Sequence, residues 1–391
     1  MAEVSTHTKR RRHAALGGSV VTPFTIALAG LVAIALFFLA ERFIYGLGAV
    51  TNISNGFPWG IWVVWDVVIA TGFACGGYAV ALVTYVLNRG EYHPLVRSAL
   101  TASLFGYTLG GLSVLIDLGR YWNFWHILSP AYFNTGSVMF EVAACITLYI
   151  IVLWIEFTPT LIEDCIKCAG HRKTLKKVMF LFIGLGVLLP SMHQSSLGSL
   201  LIVFGYQIHP LWQTPLLPLL FLLTAVCMGF SVVILEATLA AIGFKRDVHE
   251  ELPLLGKLGK IIAGILVVFL VVRFVDIIAR GAFGLIFTSG VKSVMFVIET
   301  ALFAYPVAVL AKAANRTRMS RLFPAACSML GGAVLYRIDA FLVAYDTGPG
   351  WHYFPSAPEV MVTVGIVALE ILAYIVFVRK FPILPGHSTS H

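Results

Sequence analysis

The sequence predicts an all-α polytopic membrane protein: ten transmembrane helices, with both chain ends on the same side. Three observations carry this. The 391 residues are 59% hydrophobic and only 12% charged, where a soluble domain carries about 25% charged residues. Ten apolar runs reach the roughly 20 residues needed to cross a hydrocarbon core about 30 Å thick. Lysine and arginine then alternate between the loops. Twenty-one flank the spans on one side, and only Arg42, Arg120, Arg280 and Lys292 on the other. By the positive-inside rule both termini face the cytoplasm, so the net charge of +8 reflects topology and not nucleic-acid binding.

Span 1 (23–46) follows the basic cluster KRRRH. That cluster reads as a topogenic cap and not a secretory signal, because the run is too long for a signal core and nine more follow. Span 2 (57–87) opens with Trp59 and Trp62 and places Asp66 about 13 Å in from the outer end at the helical rise. Span 3 (96–118) ends on Asp117, with Arg120 and Tyr121 just beyond, and span 4 (137–160) begins at Glu141 and carries Glu156 deeper. Span 5 (176–203) contains LLPSMHQSSLGS, a polar interruption with His193 and Gln194. Span 6 (216–243) holds Glu236, span 7 (258–279) Arg273 and Asp276, and span 8 (292–312) Glu299. Span 9 (322–344) holds Arg337 and Asp339, and span 10 (358–379) Glu370.

Two stretches echo each other: SVMF at 137–140 returns 156 residues later, and ACGGYAV (74–80) resembles VCMGFSV (226–232). Spans 2–5 and 6–9 are therefore expected to be two four-helix bundles, with spans 1 and 10 added. An even helix number makes the repeat parallel, about an axis along the membrane normal. The expected organisation is a basic cytoplasmic N-terminus (1–22), span 1 and its outer loop (23–55), a first bundle (56–205), a second bundle (206–346), and span 10 with a cytoplasmic tail (347–391).

An ionisable residue at membrane depth costs roughly 2.5–3.5 kcal/mol on the insertion scale, so each needs a partner or a purpose. Most of those in this chain crowd the outer half. Asp117/Arg120 and Arg273/Asp276 are spaced to neutralise each other on one helix face. Asp66, Glu141, His193 and Glu299 have no evident local partner and suggest a polar pocket opening outwards. Within span 5, Pro190 removes a backbone donor, and freed groups in membranes are re-satisfied by serine side chains, neighbouring helices or water. Two readings remain: a kink repaired by its own serines with a packed His193, or a helix broken to hold a polar ligand.

A transmembrane haem b needs facing histidines, and of the eleven only His193 lies at membrane depth. The six cysteines are scattered, and Cys165 with Cys168 falls short of the four ligands of a structural metal site. The chain is therefore expected to hold no haem, no iron–sulfur cluster and no metal. A quinone suits the pattern: an apolar ring and tail from the bilayer, with carbonyls that want donors and proton-transfer groups within reach. Lacking a redox centre, the chain would take electrons from a partner docked on the aromatic outer loops RYWNFWHILSPAYFN and DTGPGWHYFPSAP. The rival class is a secondary transporter, which shares repeats and intramembrane charges but places its site near the midplane between repeats.

Long motifs in order carry a specific resemblance: GFPWG, TGFACGG, NRGEYHPLVR, SLFGYTLGGLS, DLGRYWN, SVMFE, LPSMHQSSLGSL and HPLWQ. Through them the chain resembles the integral-membrane subunits of hydrogenase-2-type nickel–iron hydrogenases, within the NrfD/polysulfide-reductase superfamily. The resemblance covers nearly the whole chain. It implies a haem-free subunit of the bacterial inner membrane that reduces menaquinone or ubiquinone near the periplasmic face. It also implies a ferredoxin-like iron–sulfur subunit against that face, and nickel–iron large and small hydrogenase subunits beyond it. The expected quinone site lies among spans 2–5, where His193 would donate a proton or hydrogen bond. Asp66, Asp117 and Glu141 would relay protons or orient groups, and Arg120 would stabilise developing negative charge. Gln194, Trp59, Trp62 and Tyr121 are further candidates for touching the quinone. Glu156, Glu236, Glu299 and Glu370 are candidates for proton transfer.

Overall fold

The structure, a computed structural model, describes residues 15–163, 169–244 and 251–384. KRRRH, Cys165 and Cys168 lie outside them. Among the described residues, ten helices are long and apolar enough to cross a membrane: Pro23–Tyr45, Val63–Val86, Gly90–Asp117, Val138–Leu161, Lys177–Gln207, Leu217–Phe244, Leu252–Ala279, Val291–Leu310, Met319–Val343 and Ala357–Lys380, taken below as spans 1 to 10. They correspond one to one with the ten apolar runs. Burial within the protein differs sharply among them. Spans 2 and 6 are the most enclosed, with 78% of their apolar window buried, against 17% for span 1.

Spans 2, 3, 4 and 5 pack in sequence, and 5 returns to 2; spans 6, 7, 8 and 9 do likewise, with 9 returning to 6. Spans 2 and 6 run together at the centre, while span 1 lies along span 10, which leans on span 3. Close approach depends on small residues. A side chain at Gly198 would lie 2.5 Å from the Leu217 carbonyl oxygen, so spans 5 and 6 meet backbone to backbone only because it has none.

Among the described residues, three π-helical turns interrupt the spans: Val63–Ile69 and Leu82–Val86 in span 2, and Asp339–Val343 in span 9. Each widens the backbone ring to an i to i+5 bond, as from the Leu87 amide to the Leu82 carbonyl at 2.9 Å. Such turns are rare and concentrate at functional sites, and two of these three hold a buried aspartate, Asp66 and Asp339.

Of the two readings of Pro190, the broken helix is not the one seen. The helix runs unbroken from Ala169 to Phe204. The serines back-bond along it: Ser191 to the Val187 carbonyl at 2.6 Å, Ser196 to Met192 at 2.7 Å and Ser199 to Ser195 at 3.4 Å. The polar interruption is thus absorbed within the helix, and its histidine and glutamine turn inwards.

At the end that carries Asp117, Glu359 ties the loops to the bundle. Its carboxylate accepts from the Asn52 and Ser356 amides and from Tyr353 Oη, and Tyr353 in turn accepts the Ile61 amide at 2.7 Å. Burial, and then the bond to Glu359, pushes the Tyr353 phenol above its ordinary value. At the opposite end Arg97 reaches Glu163 at 2.7 Å and the Pro382 carbonyl at 3.0 Å, and Lys257 pairs with Glu91.

Candidate functional site

The most complete polar cluster centres on Thr71, just past the π-helical segment of span 2. Its hydroxyl donates to the Val67 carbonyl at 2.5 Å and accepts from Gln194 Nε2 at 3.0 Å, and His193 Nε2 lies 3.2 Å away. The other ring nitrogen of His193 faces the Val142 carbonyl at 3.4 Å. Gln194 Oε1 accepts from Arg337 Nη2 at 3.0 Å, while Arg337 also donates to the Val68 carbonyl at 3.1 Å and to Thr224 Oγ1 at 3.3 Å. All five side chains are fully buried. Tyr107 stands edge-on to the His193 ring at 5.8 Å and to Tyr149 at 4.5 Å, and the Tyr78 and Ser191 hydroxyls lie 2.9 Å apart beyond them.

This cluster revises where the polar residues of span 5 point. They are not confined to spans 2–5, because Thr224 comes from span 6 and Arg337 from span 9. Arg337 makes no ion pair among the described residues and is held by neutral oxygens and the Phe221 ring, 5.2 Å from its guanidinium carbon. Sequence spacing groups it with the charges of the second bundle, and nothing local signals its reach. Thr71, Tyr107 and Tyr149 are further members that sequence reasoning misses, since a threonine or tyrosine in an apolar run carries no periodic signal.

Asp66 lies on span 2 ahead of Thr71, buried, with neither carboxylate oxygen hydrogen-bonded. Asp117 and Glu370 are its electrostatic neighbours. The expected Asp117/Arg120 pair is absent among the described residues: Arg120 is exposed. Instead Arg42 of span 1, buried, donates to the Ile116 and Leu118 carbonyls at 2.6 and 2.5 Å, on either side of Asp117. A residue three positions away across a helix end points into solvent more cheaply than back onto its own helix. Tyr121 stays near this group, with Arg42 5.2 Å from its ring. Glu141 is half-buried in the first turn of span 4, next to Val142.

Trp59 and Trp62 are sealed in tertiary contacts. Trp59 Nε1 donates to the Phe341 carbonyl at 2.8 Å within a cage of Phe204, Phe341 and Tyr345, and Trp62 Nε1 donates to the Glu359 carbonyl at 3.0 Å. Both are at most 3% exposed. They fasten span 2 to spans 9 and 10 and form neither an interfacial belt nor an open pocket wall.

In spans 7 and 8 the pairing differs from the i,i+3 expectation. Arg273 pairs with Glu299, not Asp276, and Asp276 pairs with Arg280 at 2.7 Å. Glu299 therefore has a full partner set, including Trp212 Nε1 at 3.0 Å. Asp339 nearby has neither oxygen hydrogen-bonded. Of the remaining glutamates, Glu236 accepts from Tyr374 Oη, Glu370 lies against Gly106, and Glu156 lies against Gly186. Cys75, Cys145 and Cys227 are buried free thiols, whereas Cys327 is exposed on span 9. Among the described residues, no group of three histidine, cysteine or acidic side chains is placed to hold a metal ion.

The NrfD polysulphide reductase family model matches residues 49–345. The chain is 47% identical over 371 residues to the probable Ni/Fe-hydrogenase 2 b-type cytochrome subunit of Escherichia coli (strain K12), covering 95% of this chain and 94% of that one. It is 28% identical over 377 residues to the integral membrane subunit of menaquinone reductase from Nitratidesulfovibrio vulgaris (strain Hildenborough), covering 87% and 86%. A selenate reductase subunit of Mesobacillus selenatarsenatis is 24% identical over 254 residues, 58% of each chain.

Proposed function

The chain belongs to the NrfD polysulphide reductase family, and from that premise we propose that it is the quinone-reducing membrane subunit of a nickel–iron hydrogenase complex. The relatives named for a hydrogenase and a menaquinone reductase support a redox assembly over a transporter. The observation that carries the reading is the buried cluster of Thr71, His193, Gln194 and Arg337. Such a cluster suits proton delivery to a lipid-soluble acceptor whose electrons come from elsewhere.

In this reading the Asp117 end faces the periplasm, in keeping with the cation distribution. An iron–sulfur partner docks on the exposed aromatics of residues 121–133, among them Trp122, Trp125 and Tyr132. The hydrogenase subunits beyond it release two electrons and two protons from hydrogen, and a quinone takes up two of each. His193 holds and moves a proton. Asp66, uncommitted and buried, takes one up, and Asp117 stands behind it towards the aqueous face. Arg42, not Arg120, is placed to balance negative charge near Asp117. A second route runs from the cytoplasmic end through Glu236 and Glu370, which sits one turn from Tyr374 on span 10, about 6 Å along the axis.

The b-type label of one relative raises the question of haem. The residues do not fit a haem held by two facing histidines. Among the described side chains only His193 lies well inside a span, and its ring nitrogens are turned to Thr71 and Val142. No step here runs through one.

The test is hydrogen-to-quinone electron transfer by the complex carrying His193→Ala, with hydrogen-to-viologen transfer as control. Loss of the first with the second intact supports the site. Survival of both removes His193 from the chemistry.

A further inference from the structure

We propose that Asp339 of span 9 and Glu299 of span 8 form a proton-holding site, a carboxylic acid bonded to a carboxylate. Arg273 of span 7 is the cation that lets the proton leave and return.

Three charged side chains meet here away from water: Arg273 is 3% exposed, Glu299 and Asp339 not at all. One guanidinium balances one carboxylate, so a second ionised carboxylate is in excess. Two carboxylates that share a site disfavour each other's ionisation, and a buried charge left unpaired is far costlier than a neutral acid. The site is neutral with one proton. The hydrogen bonds say where that proton sits. Glu299 Oε1 accepts from Arg273 Nη1, and Oε2 accepts from Trp212 Nε1 at 3.0 Å. Donors of this kind favour the ionised form. Asp339 receives none: both of its oxygens are buried without a donor. Glu299 lies within hydrogen-bonding reach of Asp339, and two carboxyls bond to each other only if one brings a proton. The proton therefore belongs on Asp339, which donates it to Glu299.

The proton can leave because Arg273 has a donor to spare. Its Nη2 is buried and makes no hydrogen bond, and Arg273 is an electrostatic neighbour of Asp339. When Asp339 gives its proton to water, the O–H bond breaks, the carboxylate keeps the electron pair, and Nη2 supplies the donor it lacks. Held and released states thus use the same residues. The other charged groups nearby are committed elsewhere. Asp276 of span 7 pairs with Arg280, and Arg337 of span 9 is turned to Gln194 and the Val68 carbonyl. Tyr336, on the preceding turn, adds a neutral hydroxyl with no hydrogen bond. Asp339 itself opens the π-helical turn that ends span 9, and such turns concentrate at functional sites.

This site is separate from the Thr71 cluster and does not depend on quinone being the acceptor. The test is infrared difference spectroscopy of the full chain in lipid bilayers at neutral pH. Aspartate side-chain carboxyls are 13C-labelled, so that an aspartic acid is told from a glutamic acid. Subtracting Asp339→Asn from wild type should reveal one label-sensitive acid C=O band, which shifts in D2O as the proton exchanges. Glu299→Gln should lose that band and gain an aspartate carboxylate, because Asp339 then ionises against Arg273. Arg273→Met should keep it and add a glutamic acid band, since no cation remains. Asp339→Asn puts a neutral amide, able to donate to Glu299, in place of a neutral acid, and should leave the thermal midpoint close to wild type. Absence of the aspartic acid band overturns the proposal, as does its survival in Glu299→Gln. A band that never exchanges in D2O marks a sealed acid and overturns the proton-holding role. Failure of Asp339→Asn to fold overturns it too, because the site then demands a charge at this position.

Discussion

Arg273 and Glu299 form a buried ion pair between spans 7 and 8, completed by Trp212 Nε1, which donates to the second oxygen of Glu299. Removing one member of a buried pair leaves the other uncompensated, at about 3–5 kcal/mol. Glu299→Gln should therefore lower the thermal midpoint in lipid or detergent clearly. The loss should fall towards the lower end of that range, because Asp339, whose carboxyl faces both Glu299 and Arg273, can supply a replacement counter-charge. The double variant Arg273→Met with Glu299→Leu should recover most of the loss. If the double variant is no more stable than Glu299→Gln, the pair is not the source.

Span 2 meets span 3 at Gly110, where an added side chain would lie 2.7 Å from the Asp66 carbonyl oxygen. Gly110→Val therefore pushes apart the two helices that carry Asp66 and Asp117. Overpacking of this kind costs about 1–3 kcal/mol. The expected outcome is a lower thermal midpoint and slower quinone reduction together. Unaltered stability would mean that the helices part without strain.

The spans were legible in the sequence because crossing a bilayer sets a length and polarity that no other constraint disturbs; each helix of the structure ends within six residues of its apolar run. The pairing of charges was not. Arg273 and Asp276 share a helix face and look like partners, yet Glu299 is brought against Arg273 by the packing of spans 7 and 8. That choice depends on helix rotation, to which spacing within one helix is blind. Pro190 leaves two readings open for a related reason: serine back-bonding, one of the two, keeps the helix intact without any mark in the composition. His193 and Gln194 are visible as polar residues at depth, but Arg337, which holds them, lies 143 positions beyond Gln194 along the chain.

His209, outside the spans, tests a smaller point. Its Nδ1 accepts from the Leu211 amide at 3.3 Å, which a protonated nitrogen cannot do. Burial, then Lys292, holds the imidazole below its ordinary value, against the pull of Asp346. The unfolded chain thus binds the proton more readily. The contribution to stability is complete above the unfolded value of about 6.5 and is lost as pH falls through the lower folded value. The stability lead of wild type over His209→Phe should shrink between about pH 7 and 5. A lead that widens on acidification would contradict this.

Glu236 offers the sharpest division between chemistry and coupling. Its carboxyl accepts from Tyr374 Oη on span 10, and its other oxygen is buried without a hydrogen bond. Glu370 lies one turn back towards Asp66 on the same helix as Tyr374. A proton taken from the cytoplasmic end would use this column, whereas one taken from the periplasm would not. Glu236→Gln keeps shape and hydrogen-bond capacity but cannot change protonation. In liposomes holding the complex, the variant should still reduce quinone, with a membrane potential reduced about in proportion to the protons the column supplies. Tyr374→Phe should weaken it less, since Glu236 can still titrate. Full potential in Glu236→Gln, at wild-type turnover, would remove the residue from the relay and leave it as a packing group between spans 6 and 10.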